Sequence, residues 1–202
     1  MELELRIYDI DPEFRWTWLR WFEETLLPLY SRPGAGQVLG RFLSYRDDAT
    51  FAWLLQPAER EWDEAEVLAT APTPVRKSIV RKLAPAYGST ITTPEEFRRI
   101  DEAKVLEIRQ YRIAPGQRAR FARFFHDKTL GPQTGHGITV YGQFDDLDDA
   151  NNFVWLRGFP NLIERDRSKS DFYRGALWLE ELEAEAFSMI EDYSNSLLVA
   201  PM

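Results

Sequence analysis

Residues 2–10 and 104–113 alternate between apolar and polar side chains and are rich in Leu, Ile and Tyr, a pattern that predicts a β-strand in each segment. Pro12 and Pro115 follow these strands, and proline suits the first position of a helix. Apolar residues then recur at helical spacing, which predicts a helix with one face against a sheet. They are Phe14, Trp18, Trp21 and Phe22 in the first segment, and Phe121, Phe124 and Phe125 in the second.

Two short apolar runs follow each predicted helix. They cover residues 37–45 and 50–56 in the first half, and 136–144 and 151–158 in the second. The acidic turns between the runs are typical of hairpins. A further helix is predicted after Pro160, and "SNSLLVA" near the end of the chain predicts a last strand. Strand–helix–strand–strand–helix–strand is the ferredoxin-like order.

The two halves of the chain are an internal repeat. Residues 4–30 align with residues 107–133, and a second block aligns at an offset shorter by one residue. The identical pairs of the first block are Glu4/Glu107, Arg6/Arg109, Tyr8/Tyr111, Ile10/Ile113, Pro12/Pro115, Arg15/Arg118, Arg20/Arg123, Phe22/Phe125 and Leu27/Leu130. Those of the second block are Gly40/Gly142, Phe42/Phe144, Phe51/Phe153, Trp53/Trp155 and Leu54/Leu156.

The repeat predicts an α+β fold of two ferredoxin-like repeats. A four-stranded sheet with helices on one face leaves its other face uncovered, and two such sheets can cover each other. We therefore expect a pseudo-dimeric α/β barrel closed within one chain. We assign residues 1–56 to the core of the first repeat, 57–103 to its divergent end and a linker, and 104–202 to the second repeat.

Composition excludes several classes of function. The net charge of −8 disfavours nucleic-acid and anionic-membrane partners, which need a cationic surface. The absence of cysteine excludes disulfides, thiol nucleophiles and Cys-ligated metals. No run approaches the ~20 apolar residues of a membrane span, and the N-terminus does not read as a signal peptide. We expect a cytoplasmic protein with no metal site, no nucleotide site and no membrane or nucleic-acid partner.

The second half resembles a known family. The stretches "LEIRQYRIAPGQRARFARFF", "ITVYGQF" and "FVWLRGFPNLIERDRSKSDFYRGALW" are similar to the NIPSNAP family within the dimeric α/β-barrel superfamily. The resemblance extends over residues 104–180 and more weakly over 2–56. It implies a barrel that holds a small ligand, either inside the barrel or between sheet and helices. Relatives in that superfamily include cofactor-free monooxygenases, cyclases and isomerases, and haem enzymes.

Strand alternation selects the first candidate site residues. The apolar sets of the two opening strands should pack on the helices, so that their Glu, Arg and Tyr residues point into the barrel. There, Arg109 would anchor an anionic group and Tyr111 would donate a hydrogen bond, with Arg6 and Tyr8 as their counterparts. Glu107 would serve as a base. The competing interpretation is a structural ion pair in each repeat.

The second repeat offers further candidates that break the symmetry. His136, between glycines at a strand start, is a second candidate base, or else a loop histidine. Tyr141, Trp155 and Arg157 could line the same cavity, although Trp155 is more typical of a core than of a pocket. His126 is a candidate general base, and the resemblance gives it a role as haem ligand; the alternative is an exposed histidine at a helix end. The charged run "RDRSKS" at 165–170 predicts a solvated helix face.

These residues support two hypotheses of function. The first is an enzyme of secondary or catabolic metabolism that uses no cofactor. It would act on an aromatic or polyketide-like small molecule by proton transfer, cyclisation or oxygenation. The alternative is a binding or scaffold protein of the same fold without chemistry, and a haem protein is a third reading. The sequence also allows a homodimer.

Overall fold

The computed structural model describes residues 1–58, 63–89, 91 and 93–202. Its first repeat contains β1 (Leu3–Asp9), a 3-10 turn (Pro12–Phe14), α1 (Arg15–Trp21), a π-helical turn (Phe22–Leu26), α2 (Leu27–Tyr30), β2 (Gln37–Ser44), β3 (Thr50–Gln56), α3 (Glu64–Leu68) and β4 (Lys77–Pro85). A 3-10 segment (Pro94–Glu102) leads to the second repeat.

The second repeat contains the same elements in the same order, with more helix before its last strand. They are β5 (Val105–Ile113), α4 (Arg118–Phe124), a π-helical turn (Phe125–Thr129), α5 (Leu130–Gly135), β6 (Thr139–Asp146), β7 (Asn152–Phe159), α6 (Leu162–Tyr173), a π-helical turn (Leu177–Leu182), α7 (Glu183–Phe187), β8 (Ile190–Asp192) and β9 (Ser196–Pro201).

Each repeat forms an antiparallel sheet of ferredoxin-like strand order, and the two sheets join into one barrel. The orders are β4–β1–β3–β2 and β9–β5–β7–β6. Pairing of β2 with β9 and of β4 with β6 closes the ring of eight strands, and β8 adds to the end of β5. The predicted fold class is confirmed. In this topology α3 and β4, inside the segment 57–103, complete the first repeat.

The barrel interior is mainly apolar. Leu3, Leu5, Leu106 and Ile108 point into it and are fully buried, together with Leu54 and other apolar residues of both sheets. The aromatic stripes of the helices pack on the opposite face of each sheet. The two face-to-face sheets thus enclose a closely packed, mainly apolar core.

The predicted direction of the Glu, Arg and Tyr residues is therefore wrong. Tyr8 packs with the helix residues Trp18 and Phe22, and Tyr111 packs with Phe121 and Phe125. The reason is that each helix presents large aromatic rings, and the strand residues in phase with them are the tyrosines and tryptophans rather than the leucines. Any site built on these residues lies between sheet and helices.

Within the described residues, the helices are all too short or too polar to cross a membrane.

Candidate functional site

A cavity of about 470 Å³ lies between the sheet and the helices of the second repeat. Its floor is β5 and β7, and its walls come from α4 to α7 and the following loop. Its aromatic lining consists of Tyr111, Phe121, Phe124, Phe125, Trp155, Tyr173, Trp178, Phe187 and Tyr193. Its polar lining consists of Arg46, Arg109, Thr129, Gln133, Arg157, Lys169, Glu183, Ser194 and Ser196. A volume of this size, mostly apolar with a few polar groups, is typical of a small-molecule site.

The aromatic part of the lining is held by ring packing. The ring of Trp155 lies edge-to-face with that of Tyr111, with centroids 5.9 Å apart, and with that of Phe125 at 4.7 Å. Phe121 packs on Phe153 at 5.0 Å in the same way. Such pairs fix ring orientation as well as burying area, so the wall of the cavity is rigid.

Arg109 and Tyr111 lie two residues apart on the same face of β5. Arg109 Nη2 donates to the Tyr111 hydroxyl oxygen at 3.3 Å and to the Tyr193 carbonyl oxygen at 3.1 Å. Burial raises the pKa of Tyr111 above its ordinary value of 10.0, against the opposing effect of Arg109. The phenol therefore stays protonated at neutral pH, and its proton remains available to a ligand.

Glu107 lies behind this wall, fully buried, at the centre of a cluster of cations. Arg157, its direct partner across the β5–β7 ladder, donates from Nε at 2.6 Å, Arg165 Nε donates at 2.6 Å and Lys169 Nζ at 3.1 Å. Burial alone would raise the pKa of Glu107, but Arg157, Lys169 and Arg165 outweigh it and hold that pKa well below 4.5. A carboxylate this strongly stabilised as an anion is a poor base, which counts against the catalytic role expected for Glu107.

Arg165 and Lys169 correct the prediction of a solvated helix face. The two residues are one helical turn apart on α6, so both reach inward to Glu107. Burial and the neighbouring Arg157 lower the pKa of Lys169, although Glu107 opposes them. One wall of the cavity thus carries more cationic than anionic groups.

Tyr173 and Glu183 are site residues that sequence reasoning missed. The Tyr173 hydroxyl accepts from Arg157 Nη1 at 2.9 Å, which leaves its own proton free to donate. Glu183 Oε1 accepts from Trp178 Nε1 at 3.1 Å, and its half-buried carboxylate lines the cavity. The available signal was the apolar spacing of Trp178, Leu182 and Ala186, which places Glu183 beside the buried helix face.

The structure brings four of the predicted residues together and separates the rest. Arg109, Tyr111, Trp155 and Arg157 all line the cavity. Two others do not line it: His136 is exposed at the end of α5, with its ring centroid 6.0 Å from that of Phe172, and Tyr141 packs among the residues of the barrel interior. The bases proposed from the sequence, His136 and Glu107, are thus placed poorly for chemistry in this cavity.

Arg6 and Tyr8 occupy the corresponding position in the first repeat, where a carboxylate of the chain itself meets them. Tyr8 donates to Glu64 Oε1 at 3.1 Å, and Arg6 forms ion pairs with Glu64 and Glu4. Both residues are almost fully buried. Their contacts agree with the structural ion pair that the sequence offered as the competing interpretation.

The surroundings of His126 do not fit a haem. Its ring stands edge-to-face with that of Tyr87, 5.5 Å between centroids, and covers Gly88 so closely that a Cβ there would lie 2.3 Å from the imidazole. Tyr87 and Gly88 thus occupy one side of the imidazole, and His126 does not line the cavity. Over the described ranges, no three His, Asp or Glu side chains come together as metal ligands would.

Comparisons with known proteins agree with the fold. Residues 106–201 match the NIPSNAP family model. A candidate monooxygenase from Lactobacillus acidophilus is similar in structure, with a TM-score of 0.65 and 12% identity over 99% of this chain and 93% of its own. A candidate monooxygenase from Fusobacterium nucleatum has a TM-score of 0.65 and 9% identity over 99% and 91%. A candidate chlorite dismutase has a TM-score of 0.58 and 11% identity over 100% and 95%.

The second repeat thus matches the NIPSNAP family model, in agreement with the residues quoted from it. The whole chain has the dimeric α/β-barrel fold, built here from two repeats of one chain. No curated protein matches the sequence.

Proposed function

We propose that the protein is an enzyme that removes a proton from the carbon beside a carbonyl group of an aromatic or polyketide-like small molecule. Such a step begins isomerisation, cyclisation and cofactor-free oxygenation alike. The observation that carries this proposal is the pair of tyrosine hydroxyls in the cavity, Tyr111 and Tyr173, each of which accepts a hydrogen bond from an arginine.

An arginine behind a tyrosine makes the phenol a better donor. Arg157 is held in place by the buried Glu107, so its Nη1 points at Tyr173 without rearrangement. A hydroxyl prepared in this way can stabilise the negative charge that develops on a carbonyl oxygen when the neighbouring carbon loses its proton. In this mechanism Tyr173 supports the developing enolate, while Arg109 and Tyr111 anchor the other end of the substrate.

Glu183 is the base that fits the cavity. It is half-buried, it lines the cavity beside Trp178, and a hydrogen bond from Trp178 Nε1 orients its carboxylate. The substrate proton would pass to Glu183, and the electron pair would move to the enolate oxygen beside Tyr173. Aromatic walls would exclude water and strengthen both interactions.

Hydrogen–deuterium exchange tests the proposal without knowledge of the natural substrate. Aryl 1,3-diketones and aryl β-keto acids are incubated with the protein in D₂O, and loss of the signal of the acidic carbon-bound protons is followed by NMR. We expect exchange at least ~10-fold faster than in buffer for one of these compounds, a typical contribution of acid–base catalysis being ~100-fold or more.

Matched variants assign the roles. Glu183→Gln should abolish the acceleration and Tyr173→Phe should reduce it, whereas Glu185→Gln, on the same helix and paired with Lys128, should leave it unchanged. Exchange that is equally fast in Glu183→Gln would contradict the mechanism. Ligand binding without any exchange would favour the alternative, a binding protein of the same fold.

A further inference from the structure

We infer that the ligand of the cavity carries a carboxylate, which Arg109 and Tyr111 hold as Arg6 and Tyr8 hold the carboxylate of Glu64. This inference rests on the proposed function only in placing the ligand in the same cavity. Glu64 is then an internal counterpart of the ligand: the first repeat closes with its own chain a carboxylate site that the second repeat leaves open.

The two sites share one aromatic frame. In the first repeat the rings of Tyr8 and Trp53 lie 6.2 Å apart, and those of Phe22 and Trp53 5.2 Å apart. The aligned pairs of the second repeat, Tyr111–Trp155 and Phe125–Trp155, lie 5.9 and 4.7 Å apart. All four pairs are edge-to-face. The arginine and the tyrosine therefore stand in equivalent surroundings in both repeats.

In the first repeat, a carboxylate fills the site. Glu64 on α3 accepts from Tyr8 at 3.1 Å and from Tyr30 at 2.6 Å, and it forms an ion pair with Arg6, while its side chain is 11% exposed. Two phenols and a guanidinium around one buried carboxylate form a complete anion site.

In the second repeat, the arginine has no such partner. Among the described residues no carboxylate lies within 4.0 Å of Arg109, whose hydrogen bonds go to the neutral Tyr111 and Tyr193 and whose buried Nε has no acceptor. In the first repeat, Arg6 pairs with the strand residue Glu4. The aligned residue of the second repeat, Glu107, forms its ion pair with Arg157 instead. Residue 55 of the first repeat, the counterpart of Arg157, is a leucine. The exchange of Leu for Arg at this position withdraws the strand carboxylate from Arg109.

Charge and shape then define the class of ligand. Lys169, Arg157 and Arg109 give the lining an excess of cations in a protein of net charge −8. The cavity therefore attracts an anion electrostatically, whereas the rest of this negatively charged protein disfavours one. The aromatic walls suit a flat apolar body. Together these properties select an aromatic carboxylate over a neutral compound of equal shape.

Phenylacetate and phenylacetamide test this inference, because they share a shape and differ in charge. Both are titrated into the protein while resonances of the tryptophan indoles are followed by NMR. We expect phenylacetate to bind at least tenfold more tightly than phenylacetamide. Arg109→Gln should remove the preference, whereas Arg112→Gln, on the same strand but half exposed and paired with Asp149, should retain it. Equal affinities, or a preference that survives Arg109→Gln, would overturn the inference.

Rescue of a variant in the first repeat gives an independent measurement. Glu64→Ala removes the internal carboxylate and should lower Tm, and sodium acetate should then raise the Tm of the variant more than sodium chloride of equal ionic strength does. Glu66→Ala, exposed on the same helix, should show no difference between the two salts. The absence of an acetate effect in a folded Glu64→Ala protein would contradict the assigned anion site.

The two proposals fail separately. Charge-dependent binding of phenylacetate without exchange of any carbon-bound proton supports the carboxylate site and contradicts the enzyme. Exchange of neutral diketones with no preference for a carboxylate supports the enzyme and contradicts the site.

Discussion

Glu107 and Arg157 stand opposite each other in the β5–β7 ladder and form an ion pair, in which Arg157 Nε donates to Glu107 Oε2 at 2.6 Å and Nη2 lies 2.5 Å from the same oxygen. Neither side chain is more than 2% exposed. Glu107 thereby sets the direction of the guanidinium that contacts Tyr173.

Glu107→Gln should destabilise the protein by about 3 kcal/mol, the usual cost of leaving a buried cation without its partner. The amide keeps the shape of the side chain, so the loss reports charge rather than packing. Urea denaturation of both proteins measures it. Glu164→Gln, which removes a partly exposed partner of the exposed Arg167, is the control and should cost less than about 1 kcal/mol. Equal losses of unfolding free energy in the two variants would show that the buried ion pair stabilises the protein no more than the surface pair does.

The stability supplied by Glu107 should depend on pH in a defined direction. Its pKa is lower in the folded protein than the ordinary value of 4.5, so the contribution is fully present above that value. As pH falls, the unfolded chain takes up the proton first, and the contribution declines towards the folded-state pKa. The difference in unfolding free energy between wild type and Glu107→Gln should therefore narrow from pH 6 to pH 3. A difference that is constant over this range would contradict the cation cluster as its cause.

Tyr8→Phe and Tyr111→Phe, at aligned positions, should affect different properties: the first should lower stability and the second should weaken ligand binding. Tyr8 donates to the buried Glu64, so its loss should cost about 1–3 kcal/mol of stability. Within the described part of the chain, the Tyr111 hydroxyl only accepts a long hydrogen bond from Arg109. Tyr111→Phe should therefore cost less than about 1 kcal/mol of stability but weaken phenylacetate binding about tenfold. Thermal denaturation and NMR titration of both variants check this. Equal changes in stability and in phenylacetate binding for the two variants would contradict the different roles assigned to Tyr8 and Tyr111.

Gly88→Ala should destabilise the protein more than Gly116→Ala. Both glycines have positive φ, +70° and +76°, so alanine costs about 1–2 kcal/mol at either position. At Gly88 the new methyl also meets the ring of His126, whereas nothing lies within 4 Å of a Cβ at Gly116. To remove the clash, Gly88→Ala is also introduced into His126→Ala. The cost of Gly88→Ala without the ring is then the difference in stability between His126→Ala and the double variant. We expect this cost to equal that of Gly116→Ala. If Gly88→Ala remained more costly than Gly116→Ala without the ring, the contact with His126 would be excluded as the cause.

The sequence predicts the repeats and the barrel because each rests on a local pattern. Alternation, the proline after each strand and the aligned aromatic residues survive in one dimension. Which face of a strand points into the barrel cannot be predicted in this way, because both faces are covered, one by the opposite sheet and the other by helices. Leu106 and Tyr111 would fit either side until the helix rings are considered. Phe121 and Phe125, packed on Phe153 and Trp155, decide the question, and Arg109 and Glu107 share that phase.

The site was found in part for the same reason. Arg109, Tyr111, Trp155 and Arg157 lie on strands whose register can be read from the repeat, and they line the cavity. Tyr173 and Glu183 come from helices that have no counterpart of equal length in the first repeat, so no alignment points to them. Arg165 and Lys169 lie in a strongly charged run, and only the buried Glu107 explains why both turn inward.

Pairing of β2 with β9 and of β4 with β6 joins the halves of the barrel inside a single chain. In an assembly of two identical chains, any substitution would appear twice and alter both helix-facing sites together. Tandem fusion removes that coupling, so that each half can change alone. In this chain the first repeat contains Glu64, which fills its helix-facing site, whereas the second repeat contains Arg157 and has an open cavity.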